Sequence, residues 1–236
     1  AMNAAEVMKE LQERGDPQTK KTWLRHGVPE PLFGVKIGEM KLLMKKTGKD
    51  TSLARELYKT GNADAMYFAG LIGDGAELSR AELQEWAERA TCSMVADYTV
   101  PWMASEHPEG WSIGLAWIDS PSEKIACAGW HTLSSIVSTR EDQDLDLGAV
   151  QKLLDRVVKT IGSAPNMTRY TMNSYVIAVG GAVKPLTKKA LAAAAKIGKV
   201  EVDMGDTDCK VPSATDYIKK VIASGRHGKK RAHVKC

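Results

Sequence analysis

The sequence predicts an all-α chain built from helix pairs, on three observations. Apolar residues recur at spacings of three and four along the chain, with no convincing run of strand-like alternation. Capping residues, glycines and prolines cut that pattern into segments of helical length. The connections are short, mostly two to eight residues, which makes neighbouring helices antiparallel hairpins.

In order, the spacing places helices at 3–14, 17–26, 36–47, 51–60 and 63–73. The helix at 79–92 opens on Ser79 with Glu82 three residues later, a capping box. The next, 93–106, carries Met94, Val95, Tyr98 and Trp102 at helical spacing, and Pro101 should kink or end it. Helices at 109–118 and 122–138 follow. Asp146 precedes the periodic run Val150, Leu153, Leu154, Val157, Val158 of the helix at 146–162, which Gly162 should stop. The helix at 167–182 is followed by 185–197, where Pro185 suits a first turn and Gly198 the stop, and by 213–224, closed by Gly225. Segments 62–73, 122–138 and 167–182 loosely resemble one another, each a helix rich in small and apolar residues followed by a second helix. Their starts are offset by roughly 60 and 45 residues, near or above the period of about 40–47 of HEAT-type repeats. A solenoid of such pairs binds extended partners along its concave face.

With 236 residues, 43% of them apolar, the chain can bury a sizeable core, and it reads as a single domain over 1–225. No stretch approaches a membrane span, and Ala1 to Arg14 is charged and amphipathic, without a signal-peptide core. Four cysteines (92, 127, 209, 236) lie far apart with no CxxC pair, which fits reduced thiols in a cytoplasmic protein. The net charge of +4 is uneven: from Lys219 onward there are seven Lys and Arg and no acidic residue, leaving a body with 26 basic and 29 acidic side chains. Residues 226–236, with Lys229, Lys230 and Arg231, therefore read as a flexible basic tail. It is suited to a polyanion such as nucleic acid, or is simply a solvated terminus.

Several chemistries are excluded. There is no Walker A sequence, HExxH or GxSxG. The glycine-rich GLIGDGAE at 70–77 follows a helix and reads as a turn, not a phosphate cradle. The run Asp142-Gln143-Asp144-Leu145-Asp146 begins like a calcium loop, but Leu147 holds the glycine position and Leu153 the closing glutamate position. Asp203, Asp206 and Asp208 lack metal-ligand spacing, and the histidines form no cluster with the cysteines, so neither metal nor cofactor is expected.

What remains is the segment Ser93-Met94-Val95-Ala96-Asp97-Tyr98-Thr99-Val100-Pro101, a helical apolar pattern holding one carboxylate. Asp97 is either hydrogen-bonded for structure or exposed at the floor of a groove.

This segment resembles the W-x-x-x-D-x-x-V-P stretch of the AlkD-like DNA alkylation repair family. Leu32-Phe33-Gly34-Val35 is similar to that family's early F-x-G-[IV] motif. Lys124-Ile125-Ala126-Cys127-Ala128, Ser174-Tyr175-Val176-Ile177 and Lys210-Val211-Pro212-Ser213 match later segments in the right order, over about residues 20 to 222.

The resemblance implies an α/α superhelix (solenoid) of about six HEAT-like helix pairs with DNA along the concave face. It implies a DNA glycosylase releasing N3- or N7-alkylated purines without metal or cofactor. Asp97 takes the place of the catalytic carboxylate, stabilising the cationic sugar and orienting water, and Lys124 that of an arginine meeting a phosphate. The family's two cleft tryptophans, which hold the sugar and cationic base, correspond to Ser93 and Tyr175. Trp102, Trp111 and Trp117 either replace the missing wall or pack in the core. Three readings follow: a glycosylase acting as a cytoplasmic monomer on duplex DNA, a non-catalytic module binding damaged or branched DNA, and a protein-interaction scaffold.

Overall fold

The computed structural model describes residues 1–235. It is all-helical: thirteen α-helices, and no strand among the described residues beyond one isolated bridge between Gly15 and Val35. The helices follow the predicted order, and the chain divides into two compact units, Ala1–Ile113 with Lys235, and Gly114–Val234. The division falls inside a helix, α8 (Gly110–Ile118). No linker composition marks it.

The first unit is built around α5 (Ala63–Ile72), all ten of whose residues are buried. Packed on it are α1 (Ala4–Glu13), α3 (Ile37–Thr47), α4 (Thr51–Lys59) and α7 (Val100–Glu106). The helix α2 (Pro17–Arg25) starts on Asp16, whose side chain accepts from Thr19 N–H, and α6 (Arg80–Arg89) starts on the predicted Ser79–Glu82 capping box. Tyr58 of α4 stacks on Trp86 of α6 with centroids 3.9 Å apart and donates its hydroxyl to the Trp86 carbonyl at 2.5 Å.

Asp64, fully buried at the start of α5, joins these parts. Its carboxylate accepts from Phe33 N–H at 2.5 Å, Gly34 N–H at 3.2 Å and Val35 N–H at 2.7 Å. A buried carboxylate is tolerable only with such donors. Three successive amides can converge because Gly34 takes φ +77, and its missing side chain makes room for Lys20, whose backbone nitrogen would lie 2.5 Å from a Cβ. Gly34 O in turn accepts from Asp16 N–H at 3.0 Å.

Lys235 is likewise buried in this unit. Its ammonium sits 2.8 Å from Glu106 and donates to the Gly73 carbonyl at 2.7 Å. Burial lowers its pKa, and Glu106 opposes that shift.

The second unit is centred on α11 (Asn166–Ala182), which packs against α9 (Glu123–Thr139), α10 (Leu147–Thr160), α12 (Thr187–Ile197) and α13 (Ala214–Ala223). Glu123, in the first turn of α9, accepts from Met167 N–H at 2.7 Å and so aligns the starts of α9 and α11.

Two stability predictions follow. Asp64→Ala leaves two buried amides and one half-buried amide without an acceptor and should cost roughly 3 kcal/mol or more, at about 1–3 kcal/mol per orphaned group, measured by urea unfolding. Lys235→Ala should cost less, about 1–3 kcal/mol, because Glu106 is partly exposed and keeps Gly75 N–H as a donor at 3.3 Å. An unfolding midpoint unchanged in either variant would contradict these roles.

Candidate nucleic-acid interface

In the first unit the site is a π turn. Proline has no N–H, so Pro101 cannot close the α-helical hydrogen bond to the Asp97 carbonyl. The backbone widens over Val95–Thr99, and Val100 N–H donates to the Val95 carbonyl five residues back. The helix predicted at 93–106 is therefore continuous but re-phased. Gly70 of α5 lets the turn approach: a Cβ there would meet Thr99 Cγ2 at 2.8 Å.

The re-phasing corrects the predicted apolar stripe. Val95 and Trp102 are buried, but Tyr98 is 51% exposed. Its ring lies 6.0 Å from Trp102, and Trp102 in turn meets Tyr67 of α5 edge-on at 5.3 Å. Asp97 beside it is half-buried, and burial pushes its carboxyl up to about 7. Ser93 is exposed. Cys92 and Met94 pack with Trp23 against Val28, Leu32 and Ala63, and burial raises the Cys92 thiol.

In the second unit, Lys124 is half-buried in the first turn of α9. Tyr175, predicted as a cleft wall, is a core residue: it is 0% exposed, donates its hydroxyl to the Val150 carbonyl at 3.0 Å and meets Trp130 edge-on at 5.4 Å. Burial raises its pKa. The reason is helical phase. Tyr175 shares the inward side of α11 with Thr168, Met172 and Val179, whereas Met167, Tyr170, Ser174 and Gly181 are half-buried on the other. That spacing was the available signal, and it outranks the match of a short motif. Of the other candidate walls, Trp102 and Trp117 are buried and Trp111 is half-buried. Sequence reasoning also missed Arg156, which lies over the Trp130 ring at 5.9 Å and pairs with Asp119 at 2.7 Å.

The basic tail is not a loose extension. Gly228 N–H donates to Gly181 O at 2.8 Å, and Arg231 N–H to Ser138 O at 2.9 Å. Lys230 is spent internally, donating to the Val137 carbonyl at 2.8 Å and pairing with Asp142 at 2.8 Å. Lys229 and the Arg231 side chain stay exposed. Cys236 of the predicted tail lies outside the described residues. Among the described residues no helix is long and apolar enough to cross a membrane.

A helical chain with a carboxylate on a widened turn, a buried aromatic behind it and exposed basic side chains elsewhere is the setting in which the comparisons with known proteins fall. The family model of the DNA alkylation repair enzymes matches residues 7–206, and the chain belongs to that family. An uncharacterized protein, Lin0241, of Listeria innocua serovar 6a is 32% identical over 217 residues, covering 89% of this chain and 93% of its own. Its counterpart Lmo0209 of Listeria monocytogenes serovar 1/2a is 31% identical over the same length. A solved structure from a family related to the HEAT-like repeat DNA glycosylases, with affinity for branched DNA structures, is 35% identical, with a TM-score of 0.92 over 100% of both chains.

The Asp97 carboxyl yields a pH prediction. Its value in the fold, about 7, lies above its ordinary 3.8, so between these limits the folded state holds a proton that the unfolded chain has released. Stability then falls as pH rises through that window and levels off above it. Asp97→Asn should melt later than wild type at pH 8 and lose that advantage toward pH 4, with roughly 2–4 °C for each kcal/mol recovered at this size. Equal melting temperatures at pH 8 would contradict it.

Proposed function

We propose that the protein binds DNA and prefers branched over linear duplex, as a non-catalytic member of its family acting as a cytoplasmic monomer. The observation that carries this reading is the state of the two aromatic walls that a lesion cradle requires. One is replaced by the exposed Ser93, and the side chain matched to the other, Tyr175, is buried with its hydroxyl committed. The affinity of the related solved protein for branched DNA supports the choice of ligand. Cys92, Cys127 and Cys209 form no disulfide, which suits a reducing compartment.

A second reading, a glycosylase acting on N3- or N7-alkylated purines, is favoured by one feature. Asp97 keeps the family's carboxylate position, on a π turn of the kind that often marks functional sites. In that reading Asp97, once ionised, stabilises the cationic sugar as the base departs.

The test measures binding to a four-way junction and to a linear duplex of equal length, together with base release from alkylated DNA. Tighter junction binding with no base release is the expected result. Phosphate contacts from Lys124, Lys229 and Arg231 would give a log–log salt slope of roughly −2.7, at about −0.9 per contact, and replacing all three with alanine should flatten it. Base release that Asp97→Asn abolishes would establish the glycosylase instead, and equal affinity for both DNAs would end the branched-DNA reading.

A further inference from the structure

Tyr98 is an anomaly that the family position of Asp97 does not account for. A large aromatic in a helix with apolar periodicity belongs in the core, and Met94, Tyr98 and Trp102 have the spacing to share one buried stripe. The π turn, Val95–Thr99, interrupts that stripe at Tyr98, leaving Tyr98 51% exposed while Trp102 beyond it is 3% exposed. Keeping a tyrosine ring half in water forfeits hydrophobic stabilisation, so the feature calls for a use.

The ring is not a loose surface side chain. Trp102 stands behind it at 6.0 Å, and Tyr67, also 3% exposed, braces Trp102 edge-on at 5.3 Å. Three aromatic rings thus run from α5 to the surface, and only the outermost reaches solvent. The backbone beneath is fixed by Pro101 and by the close approach of Thr99 to Gly70. A rigid, supported aromatic loses little entropy on binding a flat partner.

The flat partner that suits a DNA-binding protein is a nucleobase, whose π faces stack on aromatic side chains regardless of sequence. Linear duplex hides those faces inside its own stack. A branch point interrupts the stack and exposes some of them. We infer that Tyr98 is the residue on which this protein stacks an unstacked base at a DNA branch, and so the side chain that separates branched from linear DNA. This rests on the branched-DNA reading above and adds the source of its selectivity. The neighbouring carboxyl is compatible: burial raises Asp97 to about 7, which reduces the negative charge the turn presents to DNA at neutral pH.

The test compares wild type with Tyr98→Phe and Tyr98→Leu on a four-way junction carrying 2-aminopurine at the branch and on a matched linear duplex. Leucine keeps apolar bulk but removes the π face. Because Tyr98 is half-exposed, both variants should fold, which thermal melts will verify. Tyr98→Leu should weaken junction binding by about 5- to 150-fold, the range for losing one stacked base, and leave linear-duplex binding within about twofold. Tyr98→Phe should behave as wild type. Wild type and Tyr98→Phe should quench the 2-aminopurine, and Tyr98→Leu should not. If Tyr98→Leu retains the junction preference, or weakens both DNAs equally, or if wild type leaves the probe unquenched, the inference is overturned while the branched-DNA reading stands. If wild type itself shows no junction preference, both fall.

Discussion

The first unit depends on one buried carboxylate. Asp64 carries a charge into the most enclosed helix of the unit and is satisfied there by three consecutive backbone amides of the loop at 33–35. Each donor counts, since losing any one leaves the carboxylate less compensated in a dry interior. The loop has no freedom left, and through Gly34 O it also takes the Asp16 N–H that begins α2. The start of α5, the entry to α3 and the turn between α1 and α2 are therefore set by one side chain. The short Phe-x-Gly-Val match acquires a physical meaning: its glycine supplies the positive φ and the space for Lys20, and its amides are the donors.

The same helix, α5, positions the candidate site at its other end. Gly70 admits Thr99, and Tyr67 supports Trp102. A proline one turn past Asp97 widens the backbone between these fixed points. A carboxylate beside the apolar stripe is left half-buried, with a raised pKa, next to an exposed tyrosine. Packing, backbone hydrogen bonding and the protonation of one side chain are thus consequences of the same proline.

The helices were legible because their signals are local. Apolar spacing, the Ser79–Glu82 box and the glycine stops each act within a turn or two, and all thirteen helices stand where these cues place them. The site was less legible, because it depends on phase and on distant partners. The spacing of Met94, Tyr98 and Trp102 gives no warning that one proline sets a π turn around Tyr98. The motif match at Tyr175 counted sequence position and ignored which side of α11 that position occupies. Nothing near Lys230 reveals that its ammonium is held by Asp142 and a carbonyl of α9, since that partnership spans 93 residues.

Lys235 has a consequence for biosynthesis. Its ammonium completes the hydrogen bonding of Gly73, 162 residues earlier, and neutralises Glu106 at the end of α7. While the chain is still being translated, α5 and α7 emerge from the ribosome long before this lysine exists. The corner between them must wait with an open carbonyl and an unpaired-by-lysine carboxylate, a contact of very high sequence separation that forms late. A chain cut between the last helix and Lys235 would keep all thirteen helices and yet lack this closure. Without Lys235 the first unit would carry a softer, more protease-sensitive corner next to the helix that bears Pro101 and Trp102.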